Sequence, residues 1–152
     1  MSLFWAENSL RDIPPESVRF HTCYGINEGP RVHDAAFADV VEHVLAVNAG
    51  AISFEAANAR HEHEYSVWDS VKLPQGKILI PGVVTHSTDV VEHPEVVAQR
   101  IARFARRVGR ENVIAGCDCG FGGRSHPQIA WAKLKSLAEG AALASARLYK
   151  ST

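Results

Sequence analysis

Four short apolar runs, spaced at roughly the 30-residue length of a strand–helix repeat, constrain this chain more than any other feature. They are residues 17–23 (SVRFHTC), 50–55 (GAISFE), 77–84 (KILIPGVV) and 112–117 (NVIAGC). A helical pattern follows each of them. Residues 34–48 put Phe37, Val40, Val41, Val44 and Leu45 on one stripe, and residues 94–108 do the same with Val97, Ile101, Phe104, Ala105 and Val108. Residues 127–149 predict a third helix with Ile129, Trp131, Leu134, Leu137, Ala138, Ala141 and Leu148 as its apolar side. Pro94 and Pro127 open their helices, where a missing N–H costs nothing. Residues 61–70 predict two helical turns. Parallel strands need a crossover of this length, so the expected fold is α/β with parallel (β/α) units.

A closed (β/α)8 barrel takes about 250 residues. The 152 residues here supply half of a TIM-like barrel, read as a single domain over 1–152. Unpaired strand edges invite pairing, so the half-barrel is expected to be completed by association. Two copies could close it, making a homo-oligomer, or a separate N-terminal half could. A third outcome is a small open sheet, with Val83, Val113 and Ala115 lining an uncovered inner face.

Composition narrows the function classes. Lys and Arg number 16 against 17 Asp and Glu, a net charge of −1. That balance excludes a strongly basic nucleic-acid binder. No run approaches the ~18–20 apolar residues of a membrane span. The start, Met1-Ser2-Leu3, has no basic stretch followed by an apolar one, so a cytoplasmic location is expected. Three Cys, an odd number, favour thiols or metal ligands over disulfides there, and eight His are many for this length.

The placement of those residues is informative. Residues two apart in a strand share a face, so His21 and Cys23 point the same way at the end of the first run. Glu55 leaves the second run on the side opposite Ile52 and Phe54. Cys117 and Cys119 share a parity at the fourth. His21, Cys23, Glu55 and Cys119 can therefore converge at the C-terminal ends of parallel strands, the rim where barrels place their chemistry. Imidazole, carboxylate and two thiolates suit zinc. Parity alone does not prove convergence, and a buried Cys also serves as a small hydrophobe, a lone His as a satisfied core residue.

The runs VRFHTCYG (18–25), FEAANARHEHE (54–64), PGVVTHSTDVVEHPEVVAQRI (81–101) and CDCGFGGRSHPQIAWAKLKSLAEGAALAS (117–145) resemble the C-terminal catalytic region of the cobalamin-independent methionine synthase family. The shorter, methionine-synthase-like branch, which is similar to the epoxyalkane:coenzyme M transferases, is the nearer match. The resemblance implies a TIM-like barrel whose zinc binds a small thiol substrate. It matches the metal ligands to His21, Cys23, Glu55 and Cys119, the last within Asp118-Cys119-Gly120, and the catalytic histidine to His86. The interval from Gly82 to His86 is one residue shorter than in the methionine synthases. Cys117 is a thiol the pattern does not require and is read as a small core residue. Family members carry four βα units ahead of the His-x-Cys strand, so the resemblance implies a zinc half-site and a partner half.

The implied chemistry is alkyl or methyl transfer to a small thiol. A thiol with a pKa of ~8.5 is a weak nucleophile at neutral pH until a metal deprotonates it. With a methyl-tetrahydropterin as alkyl donor, the leaving nitrogen takes a proton, and His86 is assigned to give it. The other reading of His86 is a helix cap or a partner of a backbone carbonyl. Asp118 is expected to brace the loop, and Arg60 or Glu62 to contact the rim. The HEHE run (61–64) lacks the HExxH spacing and reads as a solvated helix start. His33, His43 and His126 read as surface or capping residues, and Gly120, Gly122 and Gly123 as the loop that lets Cys119 reach the metal. The alternative class is a non-catalytic half-barrel scaffold that dimerises and holds metal or thiol without turnover. A metal-free isomerase or lyase would need the same acid–base residues that fit zinc.

Overall fold

The structure is a computed structural model and describes residues 10–25 and 30–150. Its strands are β1 (Arg19–Thr22), β2 (Ala51–Phe54), β3 (Ile78–Val84) and β4 (Gly116–Cys117). Its α-helices are α1 (Phe37–Ala46), α2 (Pro94–Val108) and α3 (Pro127–Leu148). The strands form one sheet in the order β1-β2-β3-β4, and each neighbouring pair is parallel. Sequence order equals spatial order, as successive right-handed βα units dictate.

Residues 61–70 do form helical turns, but of the tighter 3-10 kind, over Glu62–Asp69. β4 is shorter than its apolar run. A 3-10 turn at Arg110–Asn112 takes up the start of that run, Val113 makes only an isolated bridge to Leu79, and the β3–β4 register shifts between Gly82 and Val84.

Two apolar clusters cover the sheet. Phe37, Val41 and Val44 of α1 pack with Ile52, Phe54, Trp68, Leu79 and Phe104. Phe54 stacks on Phe37 at 4.7 Å and meets Phe104 edge-on at 5.8 Å. The second cluster joins Val83 and Val84 to Val97, Ala98, Ile101 and Ala144. Val83 is thus sealed beneath helices and does not line an uncovered face. Near-continuous burial of β3 is the mark of a parallel strand covered on both sides.

α2 and α3 each begin at a His-Pro pair. The His93 ring accepts from the Glu95 N–H at 3.1 Å, the His126 ring from the Gln128 N–H at 3.2 Å, and the proline fills the first helical position. The buried face of α3 matches its expected apolar side only in part, since Leu137, Ala141 and Leu148 pack against the second cluster while other positions do not. Lys133, Ser136, Gly140 and Ala144 face inward, while Trp131 is 71% and Leu134 40% exposed. Two causes act together. Lys133 donates to Glu92 Oε2 at 2.9 Å and to the Val90 carbonyl, and Ser136 donates to the Glu92 carbonyl, so polar partners fix the inward face. Gly140 lies where any Cβ would run into Val97, so only glycine allows this approach of α3 to α2.

Candidate metal centre

His21 is the third residue of β1, Cys23 follows its end, and Cys119 lies two residues beyond β4. One ligand atom from each of the three lies within 4.8 Å of the others. The sulfurs of Cys23 and Cys119 are 4.0 Å apart. Two thiolates sharing a tetrahedral zinc at ~2.3 Å would stand about 3.8 Å apart, so the pair is spaced for one ion. His21 Nδ1 is within hydrogen-bond distance of Ser53 Oγ, at 3.0 Å, which orients the ring and leaves Nε2 uncommitted. Burial raises the pKa of the Cys23 thiol, and the negative charges of Cys119 and Glu55 add to the rise, so a cation is what would make this sulfur a thiolate.

Glu55 lies outside that triad. Its Oε1 accepts the Tyr24 N–H at 3.1 Å, while Oε2 accepts from Arg31 at 3.1 Å and from Asn58 at 2.8 Å. Its side chain is fully buried. Asn58 also reaches Asp118 Oδ2 at 3.1 Å, and Asp118 Oδ1 accepts the N–H groups of Ala56 at 2.7 Å and Ala57 at 2.8 Å. Asp118 therefore ties the end of β4 to the segment after β2, one residue from Cys119. Burial raises its pKa against the pull of these donors. Gly82 is required beside it, because the Asp118 carboxylate occupies the place a Cβ would take.

His86, two residues past β3, is 3% exposed, and neither of its ring nitrogens has a hydrogen-bond partner among the described residues. Among those residues it neither caps a helix nor bonds a carbonyl. Burial lowers its pKa, so the resting ring is neutral near pH 7. Of the two residues expected at the rim, Glu62 turns to α2 and pairs with Arg100 at 3.2 Å and Arg103 at 3.2 Å. Arg60 is half-exposed, 3.9 Å from Asp34. Cys117 ends β4 and packs against the second apolar cluster.

Sequence reasoning missed the charged network behind the triad. His61 sits between Glu64 Oε2 at 2.7 Å and Asp34 Oδ2 at 3.1 Å, and Tyr24 stacks on its ring at 4.0 Å. Burial opposes protonation of His61, but the two carboxylates outweigh it and raise its pKa. Glu64 also accepts the Phe37 N–H at 2.7 Å, holding the start of α1. Arg31 joins the network to Glu55 through Asp34, 3.1 Å away. The spacings Arg31-x-x-Asp34 and His61-x-x-Glu64 were the available signal, but such pairs are frequent on solvated surfaces.

A cavity of about 520 Å³ opens beside β1, lined by Phe20, Phe37, Val40 and Phe54, and it reaches His21, Cys23 and Glu55.

The sequence profile of a family described as "Cobalamin-independent synthase, Catalytic domain" matches residues 16–143. No curated protein matches the chain. Among solved structures, a B12-independent methionine synthase from Shewanella sp. W3-18-1, in complex with selenomethionine, superposes with a TM-score of 0.76 at 22% identity. The match covers 93% of this chain and 42% of that one, so the parallel sheet and its helices are similar to part of that enzyme's barrel.

Proposed function

Since the chain belongs to the cobalamin-independent synthase catalytic-domain family, we propose that it is the zinc-bearing half of an enzyme that transfers a methyl or alkyl group to a small thiol. The observation that carries this reading is the gathering of His21, Cys23 and Cys119, one imidazole and two sulfurs from distant segments, within 4.8 Å. That donor set fits zinc, which takes nitrogen and sulfur in a tetrahedron. His21, Cys23 and Cys119 would hold the ion, with Glu55 behind them. Zinc bound there would supply the positive charge that keeps a substrate thiol in its thiolate form at neutral pH.

The chain's own residues do the rest. Ser53 orients His21, and Asp118 anchors the loop that carries Cys119. Arg31 and Asn58 fix the Glu55 carboxylate. Both ring nitrogens of His86 are buried and have no partner among the described residues. Because burial lowers its pKa, the ring rests neutral and would first take up a proton from solvent. The imidazolium so formed would pass that proton to the leaving nitrogen of a methyl-tetrahydropterin or the leaving atom of another alkyl donor.

The chain spans 42% of the enzyme it superposes on, and we read residues 1–152 as one half-barrel domain that works with a second half. The apolar cavity beside β1 and the exposed Trp131 and Leu134 on α3 are the surfaces such a half would cover. The same surfaces favour a second reading, a scaffold that dimerises and binds metal or thiol without turnover.

Thiol alkylation by the zinc-loaded chain separates the two. Homocysteine and 2-mercaptoethanesulfonate would be offered with a methyl-tetrahydropterin, with and without an N-terminal half-barrel from a family member. Methylated thiol in the complemented reaction supports the transferase. Zinc and thiol binding without product under either condition supports the scaffold.

A further inference from the structure

The His86 ring makes no hydrogen bond among the described residues, so the main chain on either side of it sets where the ring points. Both sides are pinned. The Thr85 N–H donates to Glu92 Oε1 at 2.7 Å, and the Ser87 N–H donates to the Thr85 hydroxyl at 3.1 Å. Just before them, the Val84 carbonyl accepts the Asp118 N–H at 3.0 Å, which ties the strand end leading to His86 to the segment that carries Cys119. Glu92 is itself fixed from two helices. Its Oε2 accepts from Lys133 of α3 at 2.9 Å, its carbonyl accepts from Ser136, and Arg100 of α2 stands 3.9 Å from Oε1. The Lys133 side chain is fully buried and that of Glu92 is 8% exposed. A buried ion pair adds little stability over an apolar pair of the same size, because desolvation offsets most of the attraction. Stability therefore does not account for this pair. The carboxylate oxygen that it holds against Thr85 does.

We propose that Glu92, held by Lys133, is a positioning residue: it fixes Thr85 and so aims His86 for the proton transfer of the alkylation. This rests on the thiol-transfer reading above. Glu92 acts through the Thr85 N–H alone. Without that oxygen the N–H has no acceptor, and the segment opens towards water to find one, taking the next residue with it.

The test compares two charge-balanced double variants of the zinc-loaded chain. Glu92→Gln with Lys133→Met removes both charges and keeps a carbonyl oxygen for Thr85. Glu92→Met with Lys133→Met removes both charges and that oxygen. The two differ only in the acceptor, and neither leaves a lone charge at Lys133. Folding is checked by circular dichroism and zinc by elemental analysis. The readout is the rate at which diethyl pyrocarbonate modifies His86, followed by mass spectrometry of its peptide. The proposal expects the Met-Met variant to raise that rate at least ~10-fold, and the Gln-Met variant to keep it near that of the unaltered chain. In the complemented alkyl transfer, the Met-Met variant lowers kcat with KM and zinc content unchanged, and the Gln-Met variant recovers it. An unchanged rate in the Met-Met variant, or equal acceleration in both, overturns the proposal. So does faster modification with kcat unaffected. Glu92→Asp, which keeps the ion pair but is one methylene short of Thr85, serves if the Met-Met variant does not fold. It too is expected to speed the modification of His86, and an unchanged rate there overturns the proposal. If the unaltered chain transfers no alkyl group while the modification rates follow this pattern, the hold on His86 stands and the thiol-transfer reading falls.

Discussion

The sulfurs of Cys23 and Cys119 stand 4.0 Å apart although 96 residues separate them in sequence. Neither belongs to a turn that would force the meeting. One follows the first strand of the sheet and the other the last, so the tertiary fold rather than local sequence joins them, and Asp118 ties the end of β4 to the segment after β2. A metal bound there would be coupled to folding, because the unfolded chain has no such pair.

Asp118 is the acceptor in that tie. Replacing it by Ala leaves the N–H groups of Ala56 and Ala57 and one Asn58 amide proton without their acceptor in a buried place. The expected cost is about 3–5 kcal/mol in urea unfolding. Asp118→Asn keeps one acceptor oxygen and is expected to cost less, about 1–3 kcal/mol. Equal midpoints for Asp118→Ala and the unaltered protein would show that the contacts carry no stability.

His86 has a different test. His86→Gln preserves size and burial but cannot give up a proton near neutral pH. Alkyl transfer in the complemented reaction is expected to fall by about 10²-fold or more, while zinc content stays unchanged. A comparable loss of zinc would instead make His86 part of the metal's support.

The His61 network sets a pH window. The His61 pKa is raised above its ordinary 6.5 by Glu64 and Asp34, against the opposing effect of burial. Its contribution to stability is complete below about pH 6.5 and fades as pH rises through the folded value. Glu64 and Asp34, despite burial, are lowered beneath their ordinary 4.5 and 3.8 by their pairing with His61. Their contribution is complete above those values and is lost as pH falls through the lowered ones. Thermal denaturation should show Tm declining as pH rises above about 6.5, and His61→Gln should flatten that decline. Parallel curves for the two proteins would contradict the assignment.

Much of the architecture was legible because hydrophobic period and burial coincide in it. The Val97, Ile101 and Phe104 stripe of α2 is the stripe that is buried, and the His-Pro starts of α2 and α3 mark their own boundaries. α3 misleads because close packing there selects small and polar side chains. Lys133, Ser136 and Gly140 face inward, a pattern hydrophobic period does not register, while Trp131 is left outside. At the site, two-residue parity sufficed to align His21 with Cys23. Parity says nothing of competing partners, and Arg31, 24 residues before Glu55, engages that carboxylate from another segment. The burial of His86 depends on how loops fold over the sheet, for which the local sequence has no period.

The central claim is that His21, Cys23 and Cys119 jointly hold one zinc ion. Its most direct test is elemental analysis of the purified chain after dialysis against zinc, set beside Cys119→Ser and Cys23→Ser prepared identically. The account predicts about one zinc per chain, tetrahedral with sulfur at ~2.3 Å by X-ray absorption, and its loss in both variants. A chain without zinc, or one whose zinc survives both substitutions, would contradict it.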